Sequence, residues 1–201
     1  MLTGIQINKS KGRYKKNRML HKKGFTLIEL IIVIALIALL ATTVILVINP
    51  VKIFQEARDS QRIADLGQMN SAMSLMLATS SSQPSLGTAG TCYKNKATQN
   101  CLTRHTPALT VSSTDADQTV DGNGWVPVNL GSQPAITAWP LDPKNDATNF
   151  YSYSADSLNQ WEFVAAMESV RYGSSTSADN VVATDGGNQA TLFEVGTNVN
   201  L

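Results

Sequence analysis

Residues 25–48 read FTLIELIIVIALIALLATTVILVI, an apolar run whose only charge is Glu29. At 1.5 Å of rise per residue a helix of this length is about 36 Å long, enough to cross a ~30 Å hydrocarbon core. It is too long for the apolar segment of an ordinary secretory signal, and no small-x-small cleavage site follows it. Asn49-Pro50 comes next, where proline removes a backbone donor and favours a kink or short break. A helical pattern then resumes. Ile53, Phe54 and Ala57 share a face near its start, and Ile63, Leu66, Met73 and Met76 continue a three-to-four spacing that Asn70 interrupts. Glu56, Arg58, Asp59, Gln61, Arg62 and Asp65 are expected to cover much of the remaining surface, and Gly67 is a soft spot. The expectation is one long helix over residues 25–78, half in lipid and half amphipathic.

Beyond it the period changes. Residues 79–91 (TSSSQPSLGTAGT) form a loop by composition. Residues 125–128 (WVPV) are a short strand candidate, demoted towards an edge by Pro127. Residues 150–154 (FYSYS) and 161–167 (WEFVAAM) read as a hairpin around ADSLNQ. Residues 173–189 are polar and glycine-rich, and residues 191–195 (TLFEV) make a last strand. An antiparallel sheet of three to five strands results, its apolar face covered by the amphipathic half of the helix. The fold class is therefore α+β, in four parts: a leader over residues 1–24, a membrane helix over 25–48, its amphipathic continuation over 49–78, and a β-sheet head over 79–201.

Charge sharpens the orientation. The chain of 201 residues has a net charge of +1, but its charges are segregated. Lys9, Lys11, Arg13, Lys15, Lys16, Arg18, Lys22 and Lys23 supply half of the sixteen basic residues, and all fifteen acids follow Phe25. A basic tail could bind nucleic acid, but beside an apolar helix it serves first to hold the N-terminus in the cytoplasm. Everything after Asn49 then lies outside, with Lys52, Arg58 and Arg62 as a weaker opposing set. Cys92 and Cys101, the only cysteines, fall in that outside portion, where disulfides persist, and are expected to close the loop CYKNKATQNC.

The segment Lys22-Lys23-Gly24-Phe25-Thr26-Leu27-Ile28-Glu29-Leu30 resembles the processing site of type IV pilins and type II secretion pseudopilins: a glycine, an aromatic, apolar residues, and a glutamate five residues past the cut. The resemblance implies cleavage between Gly24 and Phe25 by a prepilin peptidase, methylation of the new Phe25 amine, and self-assembly with identical or related subunits on a pilus assembly platform. It also gives Glu29 a partner, the Phe25 ammonium of a neighbouring subunit. A charge inside a membrane helix is costly and is a functional hypothesis by default. The alternative for Glu29 is snorkelling to the interface. Ala35, Ala38, Ala41, Thr42, Thr43 and Val44 suit helix packing. Met19 offers a second start with a short leader, and either start fits.

Trp139-Pro140-Leu141-Asp142-Pro143, Asn145 and Phe150-Tyr151-Ser152-Tyr153 are similar to the turn and aromatic strand of pseudopilin and some pilin heads. Several such heads bind calcium nearby, and Asp142, Asn145, Asp146 and Asn149 supply oxygens here, as do Asp115, Asp117, Asp121 and Asn123. Asp and Asn also serve turn geometry, and that reading stays open. No other metal or cofactor is expected. Many pilins carry their disulfide near the C-terminus, so Cys92 and Cys101 depart from that pattern. No nucleophile, base and orienting group assemble in the sequence, and no enzyme is expected. His105 is expected in an exposed loop, and Trp125, Trp139 and Trp161 in the head core or between subunits.

The function implied is a structural filament subunit: an inner-membrane precursor with membrane lipid around its helix, then a surface pilus. The alternatives are a secretion pseudopilin, a competence filament (the one case with a nucleic-acid partner), and a membrane-anchored binding protein that never polymerises.

Overall fold

A computed structural model describes residues 24–132, 134–174 and 176–201. The basic leader residues, with Met19 and His21, lie outside the described residues. The chain divides into two compact units at Ile48 and Asn49.

The first unit carries α1, Leu27–Ile48. Within it, Leu27–Ile45 has a mean hydropathy of 2.8. Its described side chains have no cover, as expected for a span whose partners are lipid or other helices. The two threonine hydroxyls bond inward: Thr42 donates to the Ala38 carbonyl at 2.8 Å and Thr43 to that of Leu40 at 2.8 Å. Each polar group is thereby satisfied within the segment, as hydrocarbon requires.

The expected single helix is two helices. Asn49 adopts φ 47°, ψ 79°, in the left-handed region, and Pro50 opens α2, Pro50–Thr79. Asparagine tolerates this conformation, and proline is preorganised for a first helical turn. Gly67 does not break α2.

The second unit is α2 with a five-stranded sheet in the order β2-β1-β3-β4-β5. The strands are β1 Thr91–Lys94, β2 Val111–Thr114, β3 Tyr151–Ala155, β4 Trp161–Ala166 and β5 Leu192–Gly196, with the single turn α3, Val170–Gly173, after β4. The hairpin β3–β4 pairs Tyr153 with Phe163, and β5 adds beside β4 with Phe193 opposite Ala165. The sheet is mixed rather than antiparallel, because β1 and β2 run parallel, Thr91 opposite Val111. Cys101, in the connection between them, is bridged to Cys92 of β1 (S–S 2.08 Å). Residues 125–128 do not form a strand. Trp125, Val126 and Val128 instead enter the core from an irregular segment, closed by a lone bridge between Asp121 and Asn129.

The strands' alternation sorts the sheet's two faces. Tyr93, Tyr151, Tyr153, Trp161, Phe163 and Phe193 pack with Leu66, Met69, Met73 and Met76 of α2, together with Trp125 and Trp139. All three tryptophans are core residues. Asn70, which interrupts the helical stripe, accepts the indole N–H of Trp161 at 3.0 Å. The alternate positions, Lys94, Ser152, Ser154, Glu162 and Glu194, are also buried. This polar face is roofed by the segment around the disulfide. The Thr106 amide donates to the Leu201 carbonyl at 2.7 Å, tying that roof to the chain's last residue.

Candidate processing and assembly site

Gly24 and Phe25 sit in irregular backbone ahead of α1, both exposed, Phe25 at 85%. A Cβ built on Gly24 meets nothing within 4 Å. The absence of a side chain at Gly24 is therefore not imposed by crowding within the described residues. The Gly24–Phe25 peptide is open to an outside reagent.

Thr26 is the residue before α1, and Glu29 is its third helical position. The Glu29 carboxylate Oε2 accepts from the Thr26 amide at 2.8 Å and from the Thr26 hydroxyl at 2.7 Å, while the Glu29 amide donates to Thr26 Oγ1 at 3.3 Å. This reciprocal capping box satisfies two of the orphan amides at the helix start and places a negative charge at the positive end of the helix dipole. Sequence reasoning missed Thr26, although the T-x-x-E spacing signals it. The geometry has a consequence for the junction. Hydrolysis between Gly24 and Phe25 creates an amine one residue before the amide that Glu29 already holds.

In the head, two expected surface charges are core residues. Asp59 and Arg62 are fully buried. They extend the stripe of Leu66, Met69, Met73 and Met76 towards the start of α2 at the same spacing, so α2's buried face becomes ionic there. Arg62 donates to Asp142 through Nε at 2.5 Å and Nη2 at 2.9 Å, to Asp59 through Nη1 at 2.7 Å, and to Glu168 through Nη2 at 2.7 Å. Arg58 grips Glu168 with two further bonds, at 2.9 and 2.7 Å. Asp59 in turn accepts from the Glu168 amide at 3.0 Å and the Ser169 amide at 2.7 Å. Burial works against the Arg62 charge, but its bonds to Asp142, Glu168 and Asp59 outweigh it and raise its pKa. The bonds from Arg58, with those from Arg62, hold Glu168 down to about 2.

Asp142 is thus occupied by Arg62, and it also accepts from the Lys144 and Asn145 amides at 2.8 and 3.3 Å. Asp146 accepts from the amides of Thr148 and Asn149 at 2.9 and 2.7 Å, which depresses its pKa. Asn145 spans to Gln99 and Asn95. The second oxygen cluster shows the same habit, with Asp121 accepting from the Asn123 amide at 3.0 Å. These bonds are turn and loop closures. Among the described residues, no three acids, histidines or cysteines group as a metal would require.

His105 is buried, not exposed, because the disulfide-bearing segment folds onto the polar face of the sheet. Its Nδ1 lies 2.5 Å from Glu162 Oε2. Burial pushes His105 down to about 3 and Glu162 up to about 8, so the pair holds one proton across the intervening range. Burial likewise raises Glu194 to about 8. Arg104 beside them stacks 3.7 Å above the Phe150 ring and donates to the Phe150 carbonyl at 2.9 Å.

A membrane-length helix, an open glycine–aromatic junction with a glutamate in the first turn, and an α+β head define a pilin-like precursor. Residues 19–45 match the family model described as the prokaryotic N-terminal methylation motif, and the chain therefore carries the prepilin signature of type IV pilins and pseudopilins. That signature marks structural filament proteins rather than an enzyme family, and implies processing by a prepilin peptidase and a membrane-anchored precursor. Neither the curated proteins nor the solved structures include a match to this chain.

Proposed function

We propose that this protein is a structural subunit of a type IV pilus-like surface filament. The observation that carries the reading is the Gly24–Phe25 junction with Glu29 held beside it. Peptidase cleavage removes the leader and its basic charges, which hold the N-terminus in the cytoplasm. It also creates an ammonium at Phe25, and methylation keeps that charge. A free α-amine has a pKa of about 7.7–8.0, so the new terminus is cationic under neutral conditions. Glu29 already lies at its own helix start, and the ammonium of an arriving neighbour offers it a full counter-charge in place of hydroxyl and amide dipoles. Two charges that are costly in hydrocarbon offset each other only when subunits are in register. The assembled helices leave the bilayer as a bundle, with the heads outside.

The test separates processing from assembly. Glu29→Ala leaves the leader cleaved and abolishes surface filaments, read by immunoblot and electron microscopy. Normal filaments from Glu29→Ala would refute the assembly role. The same chemistry serves a secretion pseudopilus, which the likeness of the Trp139–Tyr153 turn and strand to pseudopilin heads favours as a second reading. Loss of protein export without loss of surface filaments in a deletion strain would select it.

A further inference from the structure

The polar face of the sheet holds two carboxyls that bond to each other. Glu162 on β4 and Glu194 on β5 point to the same side of the sheet, and both are buried. Each has one oxygen engaged elsewhere. Glu162 Oε2 lies 2.5 Å from His105 Nδ1, and Glu194 Oε2 accepts from the Gln189 amide at 2.8 Å. The two side chains also hydrogen-bond each other. The oxygens left for that bond are Oε1 of each, both buried and without another partner among the described residues. A bond between two carboxyl oxygens requires a proton, because an ionised carboxylate only accepts. Glu194, Glu162 and His105 are therefore linked in series by protons.

This series fastens the roof over the sheet's polar face. Glu162 grips His105, a roof residue, directly. Glu194 acts through the loop before β5. The Gln189 it holds donates from Nε2 to the Thr103 carbonyl at 3.4 Å and to Thr106 Oγ1. Asn188 Nδ2 donates to the Thr106 carbonyl at 3.3 Å, and Asp185 Oδ2 accepts the Glu194 amide at 2.9 Å.

The surrounding charges set the direction of the response. Asp185 opposes ionisation of both glutamates. Arg104, also in the roof, disfavours a charge on His105, and its guanidinium is engaged by the Phe150 ring and the Thr148 and Phe150 carbonyls. Lys94 shares the face on β1, two strands from β4, or about 10 Å by strand spacing. Burial raises both carboxyls from 4.5 to about 8, so their hold is complete below 4.5 and lost as pH rises towards 8.

We infer that Glu194, Glu162 and His105 form a proton-dependent latch that closes the disulfide-bearing roof on the sheet, and that losing its protons lets the roof lift while the rest of the head stays folded. Ionised, the two carboxylates and Asp185 place three negative charges under the roof, and water must reach them. The aromatic face packed on α2 lies on the other side of the sheet and keeps its contacts.

The experiment is hydrogen exchange by mass spectrometry on the full chain in detergent micelles, from about pH 6 to about pH 8, with and without dilute urea. Each rate is divided by that of the unfolded peptide at the same pH. The reporters are the roof amides of Arg104, Thr106 and Leu109, which donate to the carbonyls of Cys101, Leu201 and Leu102, against those of Leu66–Met76 in α2. Each proton held only by the closed roof shifts its opening about tenfold per pH unit. Roof protection should therefore fall at least about tenfold per unit, without response to urea, whereas α2 exchanges only through urea-sensitive unfolding. Glu162→Gln with Glu194→Gln should remove the pH dependence at the roof. Wild-type roof protection that is flat with pH overturns the latch. Roof amides that share the urea response of α2 overturn the local opening. A double variant that keeps the wild-type slope overturns the assignment to these carboxyls, and the two wild-type outcomes decide even where that variant fails to fold.

Discussion

Arg62 and Asp142 form a two-pronged ion pair, at 2.5 and 2.9 Å, with both side chains wholly out of solvent. It joins α2 to the turn ahead of β3, and Glu168 and Asp59 extend it to the segment after β4. A buried ion network adds little net stability over an apolar isostere, but losing one partner strands the others. Arg62→Ala leaves three carboxylates without their shared cation and should destabilise the head by about 3–5 kcal/mol. Chemical denaturation followed by tryptophan fluorescence checks this, since all three tryptophans are buried in the head. Arg62→Met with Asp142→Asn and Glu168→Gln should cost less than the single change.

The second prediction concerns pH. His105 ordinarily titrates near 6.5 and is held down to about 3, so its contribution is present above 6.5 and lost as pH falls from there towards 3. Glu162 and Glu194 are raised from 4.5 to about 8, so their contributions are complete below 4.5 and lost as pH rises towards 8. Glu168, held at about 2, adds to the acid limb, being lost as pH falls from 4.5. Between 4.5 and 6.5 the slopes of His105 and Glu162 cancel, leaving the downward slope of Glu194. The melting temperature should therefore fall steadily from mildly acidic pH to about 8, where the raised carboxyls finish titrating. Glu162→Gln with Glu194→Gln should flatten that decline, which scanning calorimetry over this range measures.

The disulfide spans nine positions in sequence, and a loop that short contributes about 2.5 kcal/mol by chain entropy. Cys92→Ser with Cys101→Ser should lower the head's stability by roughly that amount. It should also expose the buried Arg104 and His105, which follow the bridged Cys101 closely in the chain, the Arg104 amide donating to the Cys101 carbonyl at 3.0 Å. Histidine proton exchange read by NMR should show His105 moving back towards its ordinary range.

Much of this architecture is legible in the chain. The apolar run, the Asn49-Pro50 break, the β3–β4 hairpin and the last strand each carry a local period or a turn residue, and each falls within a residue or two of its place. The strands β1 and β2 do not. TCYK and VSST are four residues each, and their pairing is parallel across a long connection, so no local pattern marks them. The buried charges carry no local mark for a related reason. Asp59 and Arg62 fall on the helical stripe, but a charge on a stripe is buried only if a distant residue neutralises it, and Asp142 lies 80 residues away from Arg62. His105 is hidden by a roof that exists only once the chain has folded. At the junction, by contrast, Gly24, Phe25, Thr26 and Glu29 are neighbours in sequence, and their relation is written within six positions.

Thr26→Val removes the hydroxyl from the capping box while keeping the shape. One side-chain bond to Glu29 is lost, along with the acceptor for the Glu29 amide. An N-cap change of this kind costs about 0.5–2 kcal/mol of local helix stability. Leader cleavage should persist, with the start of α1 frayed, seen as faster amide exchange at residues 27–29 in detergent-solubilised protein.

The account turns on what becomes of the Gly24–Phe25 bond, and mass spectrometry of the N-terminal peptide of sheared surface filaments reads it directly. The prediction is a peptide that begins at Phe25 with one methyl group on its amine, and no peptide from residues 1–24. Filament protein that retains the leader, or begins at any residue other than Phe25, would contradict it.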